Sequence, residues 1–210
     1  MKNRVFTVVF MIMVTAIAAT LMTGAKVMLQ GRIALNESLL EHRARLYGLG
    51  LLSHESQPTA AEVDEIFQQQ VKVKKQADQV LYYAYAEDGE TLLSVGIEFE
   101  GPGYWGPIRG ILSMDASQED IKALYFVAHQ ETPGLGGRIT EPWFLGQFTG
   151  KSVSSPDAEG RYLVFVPEDA EATEPNQVNA ISGATRTSDS LKRILNQALH
   201  DLHDVLNQES

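Results

Sequence analysis

Ile181-Ser182-Gly183-Ala184-Thr185-Arg186-Thr187-Ser188 is the stretch on which the reading of this chain turns. Its residues are small enough to leave the backbone open, and hydroxyls line it. Directly after it, Leu191, Ile194, Leu195, Ala198, Leu199, Leu202 and Val205 recur at helical spacing. That pattern predicts a helix from about Asp189 to Asn207, with Thr187 or Ser188 as its N-cap. A small-residue loop running into a helix N-terminus is an anion site, because open N–H groups and the helix dipole both face the ligand. The loop lacks the Gly-Lys-Ser/Thr ending of a P-loop, which argues against nucleoside triphosphate hydrolysis. On residue chemistry alone, a phosphate cradle and a plain turn capped by hydroxyls weigh equally.

Upstream, the texture from Val80 is strand-like. Leu81 to Tyr85 and Leu92 to Phe99 flank Glu87-Asp88-Gly89, a hairpin pattern. Ile108 to Met114 and Ile121 to Ala128 predict a second pair, and Tyr162 to Val166 a short strand. Gly101 to Ile108 is a loop of glycines and prolines around Tyr104 and Trp105, the latter expected in the core. His129-Gln130-Glu131-Thr132-Pro133-Gly134-Leu135-Gly136-Gly137 ends the sheet segment. Pro-Gly there predicts a type II turn, and the two later glycines permit close backbone approach. Hairpins with helices at the ends predict an α+β fold with an antiparallel sheet.

The N-terminal end is membrane-directed. Lys2 and Arg4 precede an uncharged run from Val5 to Ala25, about the 20 residues a transmembrane helix needs and longer than a signal-peptide core. A retained single-pass anchor is expected, although Ala16-Ile17-Ala18 resembles a cleavage site. The positive-inside rule puts Met1 to Arg4 in the cytoplasm and the bulk of the chain outside it. A helix over Ile33 to Leu52 and a second after Pro58-Thr59, with Glu62 completing a capping box, serve as packing and spacing. The organisation read from this is residues 1–30 as cytoplasmic tip and anchor, 31–79 as helical connector, and 80–210 as the folded domain. The formal charge of −10 argues against nucleic acid, and the absence of cysteine removes disulfides and thiolate metal sites.

Asn179 to Ser188, with Ser182-Gly183-Ala184-Thr185 at its centre, resembles the flavinylation motif of the FMN-binding domain family. That family includes the C subunit of the sodium-translocating NADH:quinone oxidoreductase and the G subunit of the Rnf complex. His129 to Gly137 resembles its second signature, and Gly103-Tyr104-Trp105-Gly106-Pro107-Ile108 a weaker third. The resemblance implies one FMN per chain, joined through its phosphate to the Thr185 hydroxyl. It implies Ser182, Gly183, Ala184 and Thr187 around the phosphate, Leu135 over a ring face, and Glu131, Thr132 and Gly136 at the ring's polar edge. Lys151 would place positive charge near the flavin. The implied role is electron relay in an ion-translocating NADH:quinone oxidoreductase of a bacterial inner membrane. Other membrane subunits of that respiratory complex are then its partners, and a flavin transferase serves maturation. The G subunit of an Rnf ferredoxin:NAD+ oxidoreductase, a free-standing FMN-domain sensor or assembly protein, and a secreted FMN carrier are the alternatives. The family usually has Asp where Asn179 stands.

No catalytic side chain of its own is expected, and no metal site. His200 and His203 sit at i and i+3 on the last helix without a third ligand, which favours a solvated helix face. Glu98 with Glu100 is too generic for an acid–base pair.

Overall fold

A computed structural model describes residues 2–53, 56–76 and 79–208, excepting the side chains of 2, 3 and 31–37. The chain divides into two units at Leu40/Glu41. The first consists of helix α1 (Lys2–Gly48) up to that division. Its segment Arg4–Gln30, 27 residues, is long and apolar enough to cross a membrane, spanning about 40 Å at 1.5 Å per residue. The hydroxyls of Thr15 and Thr20 donate back to the carbonyls of Met11 and Ala16 at 2.8 Å, so neither needs an outside partner. The run expected as an anchor and most of the helix expected over Ile33 to Leu52 fall in this one element, which ends at Gly48, with no proline to interrupt it.

The second unit is α+β. Its sheet is an antiparallel meander in the order β1 (Val71–Gln76), β2 (Gln79–Tyr85), β3 (Leu92–Pro102), β4 (Pro107–Asp115) and β5 (Ile121–Ala128). Strand alternation sends side chains to two cores. In β2, Leu81 enters the large core and Tyr83 packs against it, while Tyr82 and Ala84 enter a smaller one with Leu46, Leu49, Val63 and Val71. The large core is closed by the last helix, α4 (Thr185–Asn207), whose expected stripe from Leu191 to Val205 is buried throughout. Each fully buried leucine there contributes about 1.5–3 kcal/mol. The smaller core is closed by the end of α1 and by α2 (Ala60–Gln70), which starts on the capping box of Thr59 and Glu62.

β1 falls within the stretch read as helical connector. Val71-Lys72-Val73-Lys74 alternates with period two, but its lysines mask the apolar signal. They belong to an edge strand, where charge blocks pairing with another chain. Helix α1 ends where the sheet receives it. The Ser113 hydroxyl donates to the Gly48 carbonyl and the Ser94 hydroxyl to the Leu49 carbonyl, both at 2.7 Å and both from fully buried serines. These are the carbonyls a helix end leaves unpaired. Nearby, Glu98 Oε1 accepts from Arg45 Nε and Tyr82 Oη at 2.8 Å each, so Glu98 is structural. Burial, then the bond to Glu98, pushes the Tyr82 phenol up to about 12.

The histidine pair corrects the expectation of a solvated face. Nε2 of His200 bonds the Gly160 carbonyl and Nε2 of His203 the Val153 carbonyl, each at 2.8 Å. Tyr162 stacks on the His203 ring at 4.6 Å and meets His200 edge-on at 4.8 Å. The pair therefore fastens the 153–162 loop onto α4. Burial holds His203 below its ordinary value of 6.5. The unfolded chain then takes up its proton first as pH falls through that value, and the folded state loses stability. Thermal midpoints are expected to drop between pH 7.5 and pH 5.5, and His203→Gln is expected to flatten that drop; equal slopes would exclude His203 as the cause.

Candidate functional site

Asn179 ends β7 (Gln177–Asn179), which pairs in parallel with β6 (Val164–Val166). Gln147, just after α3 (Pro142–Gly146), holds this exit: its Oε1 accepts from Asn179 N at 2.7 Å. The chain then turns over Ile181 to Ala184. Ala184 N donates to the Ile181 carbonyl at 3.1 Å, and Gly183 has φ +75°, a conformation costly for any residue with a Cβ. Helix α4 begins at Thr185, four residues before the expected Asp189, because the Ser188 hydroxyl does not cap it. Ser188 Oγ instead accepts from Ile181 N at 3.1 Å, and the N-cap, Ala184, has no side-chain cap. The first-turn N–H groups are thus left uncapped by side chains.

Thr185 is exposed and lies between two depressions. The first, about 270 Å³, is walled by Tyr104 and Trp105 on one side, Thr132 and Leu135 on another, and Gly183 to Thr187 at its base. The Pro133-Gly134 turn that aims Leu135 is as expected: Leu135 N donates to the Thr132 carbonyl at 3.1 Å, with Gly134 at φ +75°. Leu135 is 47% exposed and Trp105 63% exposed, so both are available to a ligand. For Trp105 this overturns the expected core position. The β3–β4 hairpin has only Gly103 to Gly106 at its tip, and its two rings project past the sheet. The Arg186 guanidinium lies over the Tyr104 ring at 5.1 Å. The second depression, about 660 Å³, is acidic, with Glu168, Asp169 and Asp189 around Ile181 and Lys192.

The structure brings Glu131, Thr132, Leu135, Gly136, Gly183, Ala184, Thr185 and Thr187 to the first depression, where they meet the aromatic hairpin tip. Their roles divide. Glu131 and Thr187 are only 4% and 3% exposed and are bonded to one another, Thr187 Oγ1 donating to Glu131 Oε2 at 2.6 Å. Ser182 lines the second depression, and its N–H donates to the Glu168 carboxylate in a short bond. That bond, and then Arg138 at 3.3 Å, lowers the Glu168 carboxyl below the ordinary range. Lys151 lines neither depression. Its carbonyl accepts from Ile121 N at the start of β5, about 23 Å of strand from the end that leads to Glu131. Arg186, Arg138 and Glu168 are neighbours of the site that sequence reasoning misses. Only Arg186 lies in the quoted motif, and a cation stacked on a distant tyrosine leaves no local signal.

Asn179 Nδ2 donates to the carbonyls of Pro167 and Ala170 at 2.9 and 2.7 Å. It ties down the turn that carries Glu168, a bond pair that an aspartate lacks the donors to make.

A family model described as FMN-binding domain matches residues 103–200. The C subunit of the Na(+)-translocating NADH-quinone reductase of Yersinia pestis is 30% identical over 125 residues, 59% of this chain and 46% of that protein. Its counterpart in Pseudomonas aeruginosa is 30% identical over 129 residues, 59% of this chain and 48% of that protein. The chain thus spans about half the length of the curated relatives it matches. The crystal structure of the Parabacteroides distasonis counterpart superposes with a TM-score of 0.67 at 22% identity, covering 81% of this chain and 93% of that one. The Shewanella oneidensis counterpart gives 0.62 at 20% identity, covering 78% and 93%. These two establish the fold.

Proposed function

We propose, from the match of residues 103–200 to the model described as FMN-binding domain, that this chain is a membrane-anchored flavoprotein of that family with FMN carried on Thr185. The observation that supports this most is the placement of Thr185. Its exposed side chain stands at an uncapped helix N-terminus, on the rim of a depression walled by Tyr104, Trp105 and Leu135. The residues present suit the group. The α4 N-terminus favours the phosphate's negative charge, and the aromatic and leucine walls suit a flat apolar ring. When bound, FMN supplies the electron-transfer chemistry. The protein's own part is to tether, orient and partly shield it.

By likeness to the relatives named above, the work is electron relay within an ion-translocating NADH:quinone oxidoreductase. The equivalent protein of an Rnf complex is the neighbouring reading. Arg4–Gln30 would be the anchor and the contact with other membrane subunits, with the second unit on the extracytoplasmic side of a bacterial inner membrane. Covalent attachment requires a flavin transferase. Among the described residues, no lysine stands at the walls of the depression. Arg186, stacked over Tyr104, therefore takes the place expected of Lys151 as the nearest positive charge.

An intact-mass spectrum of the protein from its native membrane tests the reading. One phosphoester-linked FMN per chain is the expected increment. An unmodified chain in the presence of the transferase would remove the covalent reading. Asn179 favours keeping a second one, a free-standing sensor or assembly protein, since here its side chain is committed to backbone carbonyls and offers no carboxylate to a transferase.

A further inference from the structure

We propose that Glu131 is a positioning residue: its buried carboxylate latches the Tyr104–Trp105 loop to the first turn of α4 and so sets the distance between the aromatic wall and Thr185. The latch rests on the flavin-site reading only for what it positions; its geometry stands without a ligand.

Glu131 Oε1 accepts from Tyr104 N at 2.7 Å and from Trp105 N at 3.2 Å, and Oε2 accepts from Thr187 Oγ1 at 2.6 Å. One side chain thereby joins three segments that are separate in sequence, with 26 residues to Trp105 on one side and 56 to Thr187 on the other. The carboxylate has no donors of its own, so every bond runs inward to it. Bonds to an ionised acceptor are also about twice as strong as neutral ones. The surrounding glycines fit the carboxylate. A Cβ on Gly103 would lie 2.6 Å from Oε1, and one on Gly136 2.7 Å from Oε2. At these two positions glycine leaves room for Glu131, as it also does for Thr187 Oγ1 beside Gly136 and for the Gly106 carbonyl beside Gly103. Among the described residues the tip of the hairpin is otherwise held through Gly103 N to the Gly106 carbonyl at 2.9 Å, by the paired Pro102 and Pro107, where neither proline can donate, and by the Arg186 guanidinium over the Tyr104 ring. Without the carboxylate, the N–H groups of Tyr104 and Trp105 lose the acceptor they share, and the Arg186 stack on Tyr104 is left as the tie between the loop and α4.

The test uses the full chain carrying Thr185→Ala, so that no covalent flavin is needed. In Glu131→Ala, amide hydrogen exchange at Tyr104 and Trp105 is expected to rise at least tenfold, while Leu112 and Leu124 in β4 and β5 stay protected. Glu131→Gln should restore protection, since its Oε1 still accepts both amides and its Nε2 can donate to Thr187 Oγ1. Unchanged exchange at Tyr104 and Trp105 in Glu131→Ala, or failure of Glu131→Gln to restore it, overturns the latch. If Glu131→Ala unfolds throughout, Thr187→Val decides instead. It removes one donor at equal shape, and local acceleration at Tyr104 and Trp105 supports the latch while unchanged exchange overturns it. Added riboflavin separates this proposal from the functional one. Absence of binding to the Glu131-intact protein counts against the flavin site, whereas the exchange data alone decide the latch.

Discussion

Thr185→Ala is expected to give a folded, colourless protein with no covalent flavin. The side chain is exposed and stands at the first helical position, where Ala184 rather than Thr185 is the N-cap. Alanine is the best helix former, so the exchange should alter stability by no more than about 0.5 kcal/mol. The modification, in contrast, depends on one oxygen and should fall from one per chain to none. Intact mass and in-gel flavin fluorescence read the loss, and a thermal melt reads the preserved fold. Thr185→Ser keeps the oxygen and should keep the flavin. Thr187 is the obvious rival, two residues on, but its hydroxyl is buried and donated to Glu131. Flavin persisting in Thr185→Ala and vanishing in Thr187→Val would move the site to Thr187 and overturn the assignment.

Gly48→Leu is expected to be the most damaging single change in the sheet-facing end of α1, at about 3 kcal/mol or more. Helix propensity alone predicts the opposite sign, since leaving glycine gains up to about 1 kcal/mol in a helix interior. Packing decides the matter. A Cβ on Gly48 would lie 2.5 Å from the Ile111 Cβ and 2.7 Å from its Cγ2, and Ile111 is itself 1% exposed on β4. Relief means lifting the helix end off the sheet. That breaks the 2.7 Å bonds from Ser113 and Ser94 and leaves two hydroxyls and two carbonyls buried without partners. Each such group costs about 1–3 kcal/mol, which outweighs the propensity gain. Chemical denaturation of the variant measures the loss; a midpoint equal to that of the unaltered chain would mean that α1 is not seated as described.

Much of the architecture is legible in the sequence because it rests on local rules. The stripe from Leu191 to Val205 reports a helix against a core from any window of that length, and Thr59 with Glu62 reports a helix start. Pro133-Gly134 reports its turn because φ is limited residue by residue. What escapes such reading is decided by partners far along the chain. Val71 to Gln76 is a strand because β2 pairs with it. Ser188 fails to cap α4 because Ile181 N takes its oxygen. His200 and His203 are pinned by carbonyls 40 and 50 residues away.

For the candidate site the division is similar. The motif around Thr185, the Pro-Gly turn and the aromatic hairpin tip are each visible as separate stretches, since each follows from small residues, fixed φ or exposed turn chemistry. That Glu131 faces inward, that Lys151 lies at the opposite end of β5, and that Trp105 stays exposed are not. Those are questions of which side of a strand end or hairpin meets which helix. By itself the sequence determined the hairpins, the last helix and the Pro-Gly turn, because backbone geometry and hydrophobic periodicity act over a few residues, while the choice of Thr185 as the proposed tether rests on the motif's resemblance. The tertiary structure decided which side chains meet, because hydrogen bonds and packing between segments 26 to 56 residues apart depend on how the sheet and α4 close on one another.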